Sequence, residues 1–252
     1  MSKQIFDELL NAGVHFGHLK RKWNPNMAPY IFDEKKGIHI IDLNKTIAKL
    51  EDAQRVLKNM ASSGKKILFV ATKNQAKDIV TKYAEEMKMP YITERWSGGM
   101  LTNFATIRKA INKMKTIDNM GNDGTLEILS KRERLQITRT RAKLEKNFGS
   151  IADLTRLPHA VFIVDVHREH IAVSEARKLN LPTFALCDTN SDPDLINFPI
   201  PANDDASKSI DTLMKYISDA VKEGLAERDK VKAERKGKSE KKEETVEAPK
   251  AE

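Results

Sequence analysis

Two apolar runs, residues 160–164 and 183–187, with a helically spaced stretch between them, constrain the fold of this chain more than any other feature. Neither run alternates apolar with polar residues, which suits strands covered on both faces. Between them Ala172, Ala176 and Leu179 recur at helical spacing, with Glu175, Arg177 and Lys178 assigned to the opposite, wet side. Pro182 closes that helix. A helical crossover between two such strands makes them parallel neighbours with a right-handed connection, a βαβ unit. A second unit is read earlier in the chain. It has a strand at 67–71, a helix at 75–87 with Ile79, Val80 and Tyr83 inward, and a strand at 91–93 after Pro90. The fold class is therefore α/β with a doubly wound parallel sheet.

The remaining elements follow from the same patterning. A short helix at 2–11 places Ile5, Phe6, Leu9 and Leu10 on one side, with Gly13 positioned to stop it. Residues 14–32 hold too many turn formers for a regular element and read as an ordered loop or extended arm. A brief strand at 38–41 precedes a helix capped by Asn44 and running to about Met60, with Ile47, Leu50 and Leu57 inward and Gly64 at its end. A last strand at 198–200 leads to a helix in which Ile210, Leu213, Met214, Ile217 and Val221 keep helical spacing. Beyond Lys222 the chain is Lys, Glu, Ala and Ser with almost nothing to bury, so it is expected to start helical and then fray.

Between the two units the pattern changes to long helices. Phe104, Ile107, Ile111 and Met114 step by three and four, a seam suited to pairing with another helix. The run Gly121-Asn-Asp-Gly124 breaks the chain. Ser130 with Glu133 makes a capping box, after which Leu135, Ala142, Leu144 and Phe148 are read as the apolar positions of a return helix. The segment is an antiparallel helical hairpin inserted into the α/β domain. The divisions expected are 1–103 (arm and first half of the α/β domain), 104–148 (basic hairpin), 149–224 (second half) and 225–252 (charged, disordered tail).

Charge says where a partner binds. The net charge is +8, and residues 104–148 carry eleven Lys and Arg against five Asp and Glu, six of that excess. A clustered surplus of this kind suits an anionic partner such as nucleic acid, although a charge run is also what a solvated helix face looks like. The single cysteine, Cys187, excludes an internal disulfide and points to a reducing compartment. The N-terminal residues lack the pattern of a signal peptide, and no apolar stretch is long enough to cross a membrane, so a soluble cytoplasmic protein is expected.

Several motifs carry competing chemistry. The turn after the first strong strand, Ala71-Thr-Lys-Asn-Gln75, has side chains where a dinucleotide or P-loop fold needs glycines, which excludes a bound dinucleotide. Gly98-Gly99 is either a sharp turn needing positive φ or a place where backbone approaches a phosphate. Asp165, His167, His170, Asp188, Asp192 and Asp194 gather where parallel strands end. Residues of these types could bind a divalent ion, and a metal-dependent α/β hydrolase is the rival functional class. The stretch 188–194 is no calcium loop, because Pro193 and Pro199 stand at key positions; turn-stabilising Asx hydrogen bonds are the plainer role. Cys187 with His167 could form a nucleophilic pair, but an apolar strand end more often holds a structural cysteine. Lys20-Arg21-Lys22-Trp23-Asn24 puts three cations beside a flat ring, suited to phosphate contact and base stacking, or else to a buried Trp with solvated lysines. His15 and His18 have no further metal ligands near them in sequence and read as structural.

Taken together, several segments resemble the ribosomal protein S-two family in its bacterial form, nearly end to end. AGVHFGH (12–18), the arm around Trp23 and Asn24, and IHIIDLNKT (38–46) are similar to its opening. ILFVATK, RWSGGMLTNF and TRTRAKLEKN are similar to its middle; PHAVFIVDVHREHIAVSEARKLNLP, CDTNSDPD and IPANDDA are similar to its second half. The resemblance implies a flavodoxin-like five-stranded parallel sheet with an inserted antiparallel coiled-coil hairpin. It also implies a structural, non-enzymatic role on the ribosome in the cytoplasm. Partners would be small-subunit ribosomal RNA at the junction of head and body, neighbouring small-subunit proteins and ribosomal protein S-one, whose recruitment the family assists. Where family members often carry paired glycines ahead of the second βαβ unit, this chain has a compact Gly149-Ser150 and Asp153–Arg156 linker, which leaves the hairpin's angle to the sheet open.

Motif and charge together assign RNA contact to Lys20, Arg21, Lys22, Trp23, Asn24, Arg95, Gly98, Gly99, Asn103, Lys109, Lys113, Arg132, Arg134, Arg139, Arg141 and Lys143. Asp188, Asp192, Asp204 and Asp205 are assigned to a protein partner or a weakly held cation, a structural Mg or Zn ion at most. No cofactor is required, no catalytic residue is assigned, and neither a membrane nor a second copy of the chain is expected as a partner.

Overall fold

The computed structural model describes residues 2–244, with the surroundings of side chains from 4 to 231. The chain opens with α1 (Ser2–Asn11), stopped at Gly13, whose φ is +74°. β1 (Phe16–Leu19), β2 (Ile31–Lys35) and β3 (Ile38–Ile41) then form an antiparallel sheet in the order β1-β3-β2. The arm expected to be irregular (14–32) thus supplies β1 and the start of β2. The hairpin between β2 and β3 turns on Lys36 and Gly37, both at positive φ (54° and 76°), as a two-residue turn of this hand requires. Lys36 stands where Asn or Asp normally announces such a turn, so the pattern gives no warning. Prolines 25 and 29 are absorbed in a 3-10 turn, Pro25–Tyr30.

α2 (Leu43–Ser62) begins two residues earlier than expected, because Asp42, not Asn44, is its cap: the Asp42 carboxylate accepts from the Asn44 amide. β4 (Ile67–Val70), α3 (Asn74–Glu86) and β5 (Tyr91–Ile92) follow. Next come α4 (Phe104–Asn122), a short unforeseen α5 (Thr125–Ile128) and α6 (Lys131–Phe148). The chain returns through β6 (Ala160–Val164), α7 (His170–Lys178), β7 (Thr183–Cys187), β8 (Phe198–Pro201) and α8 (Ser207–Glu244). α8 runs well past Lys222, and residues 245–252 of the expected tail lie outside the described residues.

The main sheet is wholly parallel, in the order β5-β4-β6-β7-β8. That order reverses once, between β4 and β6, as in a flavodoxin-like sheet. Register places Phe69, Phe162, Phe184 and Phe198 in one row across four strands. Phe69 and Phe162 lie 5.4 Å apart, and Phe184 and Phe198 stack at 4.6 Å. The first three are fully buried, each worth about 1.5–3 kcal/mol in apolar burial. One face of the sheet is covered by α1, α2, α3 and α8, where Ile210, Leu213, Met214, Ile217 and Val221 are all buried. The other face is covered by α7, Trp96, Met100 and Leu101, the base of α4, Phe148 and Met27.

α4 and α6 pack on each other between β5 and β6. On α4 the buried seam is Ile107, Ile111, Met114 and Ile117. On α6 the expected seam is partly wrong: Leu135 is 51 % exposed and Ala142 is exposed, while Ile137, Leu144 and Phe148 face inward. The capping box of Ser130 and Glu133 is present as read.

α8 crosses α2 closely at Gly224. A Cβ there would stand 2.3 Å from the Lys58 carbonyl oxygen and 2.9 Å from Ala61 Cβ. Alanine normally gains about 1 kcal/mol over glycine within a helix, but overpacking against a backbone atom costs about 1–3 kcal/mol. Gly224→Ala is expected to lower the melting temperature by several degrees, while Gly98→Ala, with no atom near its Cβ, leaves it unchanged. A melt in which Gly224→Ala is the more stable protein would refute this crossing.

Candidate nucleic-acid interface

The turn that launches α4 is built around one buried carboxylate. Glu175, on α7, is 6 % exposed and not on the wet side of its helix as the periodicity suggests. Its Oε1 accepts from Trp96 Nε1 (3.1 Å) and the Gly99 amide (2.7 Å); its Oε2 accepts from the amides of Leu101 (2.9 Å) and Thr102 (3.0 Å) and from Thr102 Oγ1 (3.1 Å). Burial alone would raise this carboxyl, but those donors hold it below its ordinary value. Gly99 has φ +83°, so the turn reading describes it, and its amide is already committed to Glu175 instead of being free for a phosphate. Gly98 is exposed, as are Arg95 and Asn103, whose Oδ1 accepts from Thr106 Oγ1.

The hairpin's cations divide by face. Arg132, Arg139 and Lys143 are spaced by seven and four and form one exposed stripe on α6. Lys109 and Lys113 are exposed on α4, Lys113 at the edge of the groove it shares with Ile117 and Ile137. None of these five has an ion-pair partner among the described residues. Arg134, also exposed, falls outside the stripe. Arg141 behaves differently from the rest: its Nε donates to Asp118 Oδ1 at 2.8 Å across the hairpin, and Nη1 pairs with Glu145. It clamps the two helices.

At the other end of the interface Lys20, Arg21 and Lys22 form a 3-10 turn with all three side chains exposed, Lys20 pairing with Glu34 at 2.7 Å. Trp23 is 38 % exposed, one side of its ring lying 5.2 Å from the buried His39 ring. It is neither a core tryptophan nor a free one. Asn24 Oδ1 caps the next turn by accepting from the Asn26 amide, and the Asn24 amide donates to the Thr189 carbonyl at 2.8 Å. The arm is thereby tied to the loop after β7. Gly17 permits the same approach, since a Cβ there would meet Thr189 Cγ2 at 2.6 Å.

Acidic groups collect at the strand ends on the side of α3 and α8. His18 Nδ1 lies 2.9 Å from Asp188 and Nε2 3.2 Å from Asp205, while Lys73 Nζ lies 2.7 Å from Asp204, 2.5 Å from Asp205 and 3.4 Å from Asp165. Asp204 is fully buried and its Oδ2 has no hydrogen-bond partner among the described residues. His18, Asp188, Asp204 and Asp205 each have one ligand-type atom within 4.8 Å of the others'. His18 therefore does have ligand company, supplied by residues remote in sequence. Asp192 stands apart: it accepts from the Asp194 amide and from Asn26 Nδ2, the Asx-turn role. Burial, then the neighbouring Asp165 and Asp188, push Asp204 up to about 7; the hydrogen bond to Asp188 raises His18.

At the switch point between β4 and β6, where such sheets seat a phosphate, the protein has its own anion. The buried Glu169 carboxylate accepts from the Thr72 amide at 3.1 Å and from Thr72 Oγ1, just ahead of α3.

The family model for ribosomal protein S2 matches residues 9–224. The chain belongs to the ribosomal protein S2 family. It is 64 % identical over 236 residues to the small ribosomal subunit protein uS2 of Parabacteroides distasonis, covering 93 % of this chain and 85 % of that one. It is 65 % identical over 221 residues to the protein of the same name from Flavobacterium psychrophilum (88 % and 83 %), and 63 % identical over 228 residues to that of Porphyromonas gingivalis (90 % and 81 %). Ribosomal protein S2 is a structural, non-enzymatic protein of the ribosome, which sets aside the hydrolase reading. The geometry agrees, for Cys187 is fully buried and burial pushes its thiol well above the ordinary value, out of reach of thiolate chemistry. No described helix is long and apolar enough to cross a membrane.

The acidic group fixes a sign for pH dependence. A carboxyl raised from 3.8 to about 7 in the folded state holds its proton there while the unfolded chain releases it, so its contribution to stability is lost as pH rises from about 4 to 7. The raised His18 adds a loss of the same sign above its ordinary value. With EDTA present, the melting temperature of this chain is expected to fall between pH 5 and pH 8, and Asp204→Asn to flatten that fall. An equal fall in both proteins would contradict the assignment.

Proposed function

We propose that this ribosomal protein is a structural constituent of the small subunit, in the cytoplasm, that holds ribosomal RNA at the junction of head and body. Residues 1–103 and 149–224 act as the platform and 104–148 as the grip. The observation that carries the reading is the stripe of Arg132, Arg139 and Lys143, with Lys109 and Lys113 on the neighbouring helix, all exposed and without ion-pair partners among the described residues. Long cations spaced along helices neutralise phosphates with little regard to sequence. Arg141, already paired, is removed from that set. Lys20, Arg21 and Lys22 with the half-open face of Trp23 add a second contact in which an unpaired base stacks.

The acidic face suits other partners. Asp188, Asp204 and Asp205 repel phosphate, and this side is the one proposed for neighbouring small-subunit proteins and for helping to recruit ribosomal protein S-one. One imidazole with three carboxylates suits zinc better than magnesium, which takes oxygen ligands and keeps its waters. Such an ion would screen the acidic group and give Asp204 Oδ2 a partner. Added zinc should then raise the pH 8 melting temperature of the wild-type chain and not that of Asp204→Asn.

The deciding experiment measures affinity for small-subunit ribosomal RNA across a salt series. Reversing Arg132, Arg139 and Lys143 to Glu is expected to shallow the log–log salt slope by about 0.9 for each phosphate no longer neutralised. Trp23→Ala should leave the slope alone and weaken binding about tenfold or more, since stacking is worth about 1–3 kcal/mol per base. Unchanged affinity and slope in the reversed protein would rule out the hairpin as the grip.

A further inference from the structure

A cleft of about 690 Å³ opens at the ends of β6 and β7, between the loop leading into α7, the loop after β7 and the Asn24 arm. We propose that it is a nucleotide subsite: it receives one unpaired nucleotide of the bound RNA, the base against Val166 and Leu195 and the phosphate toward His167, Arg168 and His170. The proposal rests on the RNA reading above and adds a site to it.

The volume falls within the range of small-ligand pockets, about 300–1,000 Å³. Its chemistry is mixed in the way a nucleotide needs. His167, Arg168 and His170 are exposed, and neither imidazole has a side-chain hydrogen bond among the described residues. Among the described residues Arg168 uses only Nε, toward Thr72 Oγ1 at 3.0 Å, which fixes the stem and leaves the terminal nitrogens for an anion. Val166 and Leu195 supply apolar lining for a base plane. Asn24 and Asn190 contribute their oxygens to local hydrogen bonds with the Asn26 amide and Ser191 Oγ, so each keeps an amide NH₂ to read a base edge.

The two carboxylates in the lining are both already engaged. Asp165 accepts from the Arg168 amide and faces Lys73, and Asp192 is held by the Asp194 amide and Asn26 Nδ2. A metal is disfavoured for the same reason, and the ligand atoms that do converge nearby include neither His167 nor His170. A free nucleotide with its phosphate in the usual flavodoxin position is disfavoured because Glu169 holds the amide ahead of α3.

Placement favours RNA as the source. Val166 and Ile196 of the cleft region share one core with Met27, Trp96, Ile107 and Phe148, so the cleft opens from the layer that carries the hairpin, and Asn24, the residue after Trp23, is part of its wall. The arm wall is fixed in advance by the Asn24 amide to Thr189 and by Asn26 to Asp192, so little ordering is needed on binding.

The test is nucleotide-resolution chemical footprinting of small-subunit ribosomal RNA with the full chain and with a His167→Ala/His170→Ala double variant, whose exposed positions leave the melting temperature unchanged. The double variant is expected to lose protection at one short run of nucleotides while the rest of the footprint persists, with binding about tenfold weaker. A footprint identical to wild type overturns the subsite. AMP and CMP titrated into the wild-type chain form the second arm: saturable binding that the variant lacks, with the RNA footprint unchanged, would assign the cleft to free nucleotides and overturn the RNA source. If the wild-type chain protects no RNA at all, the RNA-binding reading itself fails, and the subsite with it.

Discussion

The fold depends at one point on the Glu175 carboxylate. A buried charge with too few partners is costly, whereas one that receives five donors is held firmly and aligns everything that donates to it. Here the donors come from Trp96, Gly99, Leu101 and Thr102, the residues that turn the chain from the edge of the sheet into α4. The acceptor comes from α7, which packs on the centre of the sheet. One side chain thus joins the rigid α/β layer to the start of the hairpin. On the functional reading proposed above, it fixes where the cations point.

Charge is partitioned by the same architecture. On the α7 side of the sheet lie the hairpin and the cleft with His167, Arg168 and His170, which meets the acidic group at Asp165. At the strand ends on the other side lie Asp188, Asp204 and Asp205, balanced only in part by Lys73 and His18. Burial makes this partition expensive to rearrange: Asp204 is raised to about 7, while Lys73 is raised because its three carboxylate neighbours outweigh its burial. The place where a flavodoxin-like sheet would seat a phosphate is filled by Glu169, so the chain keeps the architecture and gives up that ligand.

The parallel sheet and its helices were legible because buried strands here are continuous apolar runs and the helices keep strict spacing. Ala160–Val164 and Thr183–Cys187 are strands to the residue. What escaped depends on tertiary placement. Glu175 sits on a helix position that periodicity assigns to water, and only the converging amides make it an interior residue. Lys36 adopts positive φ where Asn would have marked the turn, so a hairpin looked like a loop. Leu135 is apolar yet exposed while Ile137 carries the seam, because the phase of α6 is set by its packing on α4. His18 has ligand-type neighbours from residues 188–205, which spacing in the sequence does not reveal. Among the hairpin cations, composition treats Arg141 and Arg139 alike; only coordinates separate the clamp from the exposed stripe.

The account stands most directly on whether the Glu175 hub directs the hairpin. In Glu175→Gln the amide oxygen can still serve one set of donors, but the NH₂ group would face the other set. The affinity of this variant for small-subunit ribosomal RNA, measured well below its melting temperature with every hairpin cation intact, is predicted to fall about tenfold or more. Wild-type affinity in a folded Glu175→Gln protein would contradict the claim that this carboxylate aims the grip.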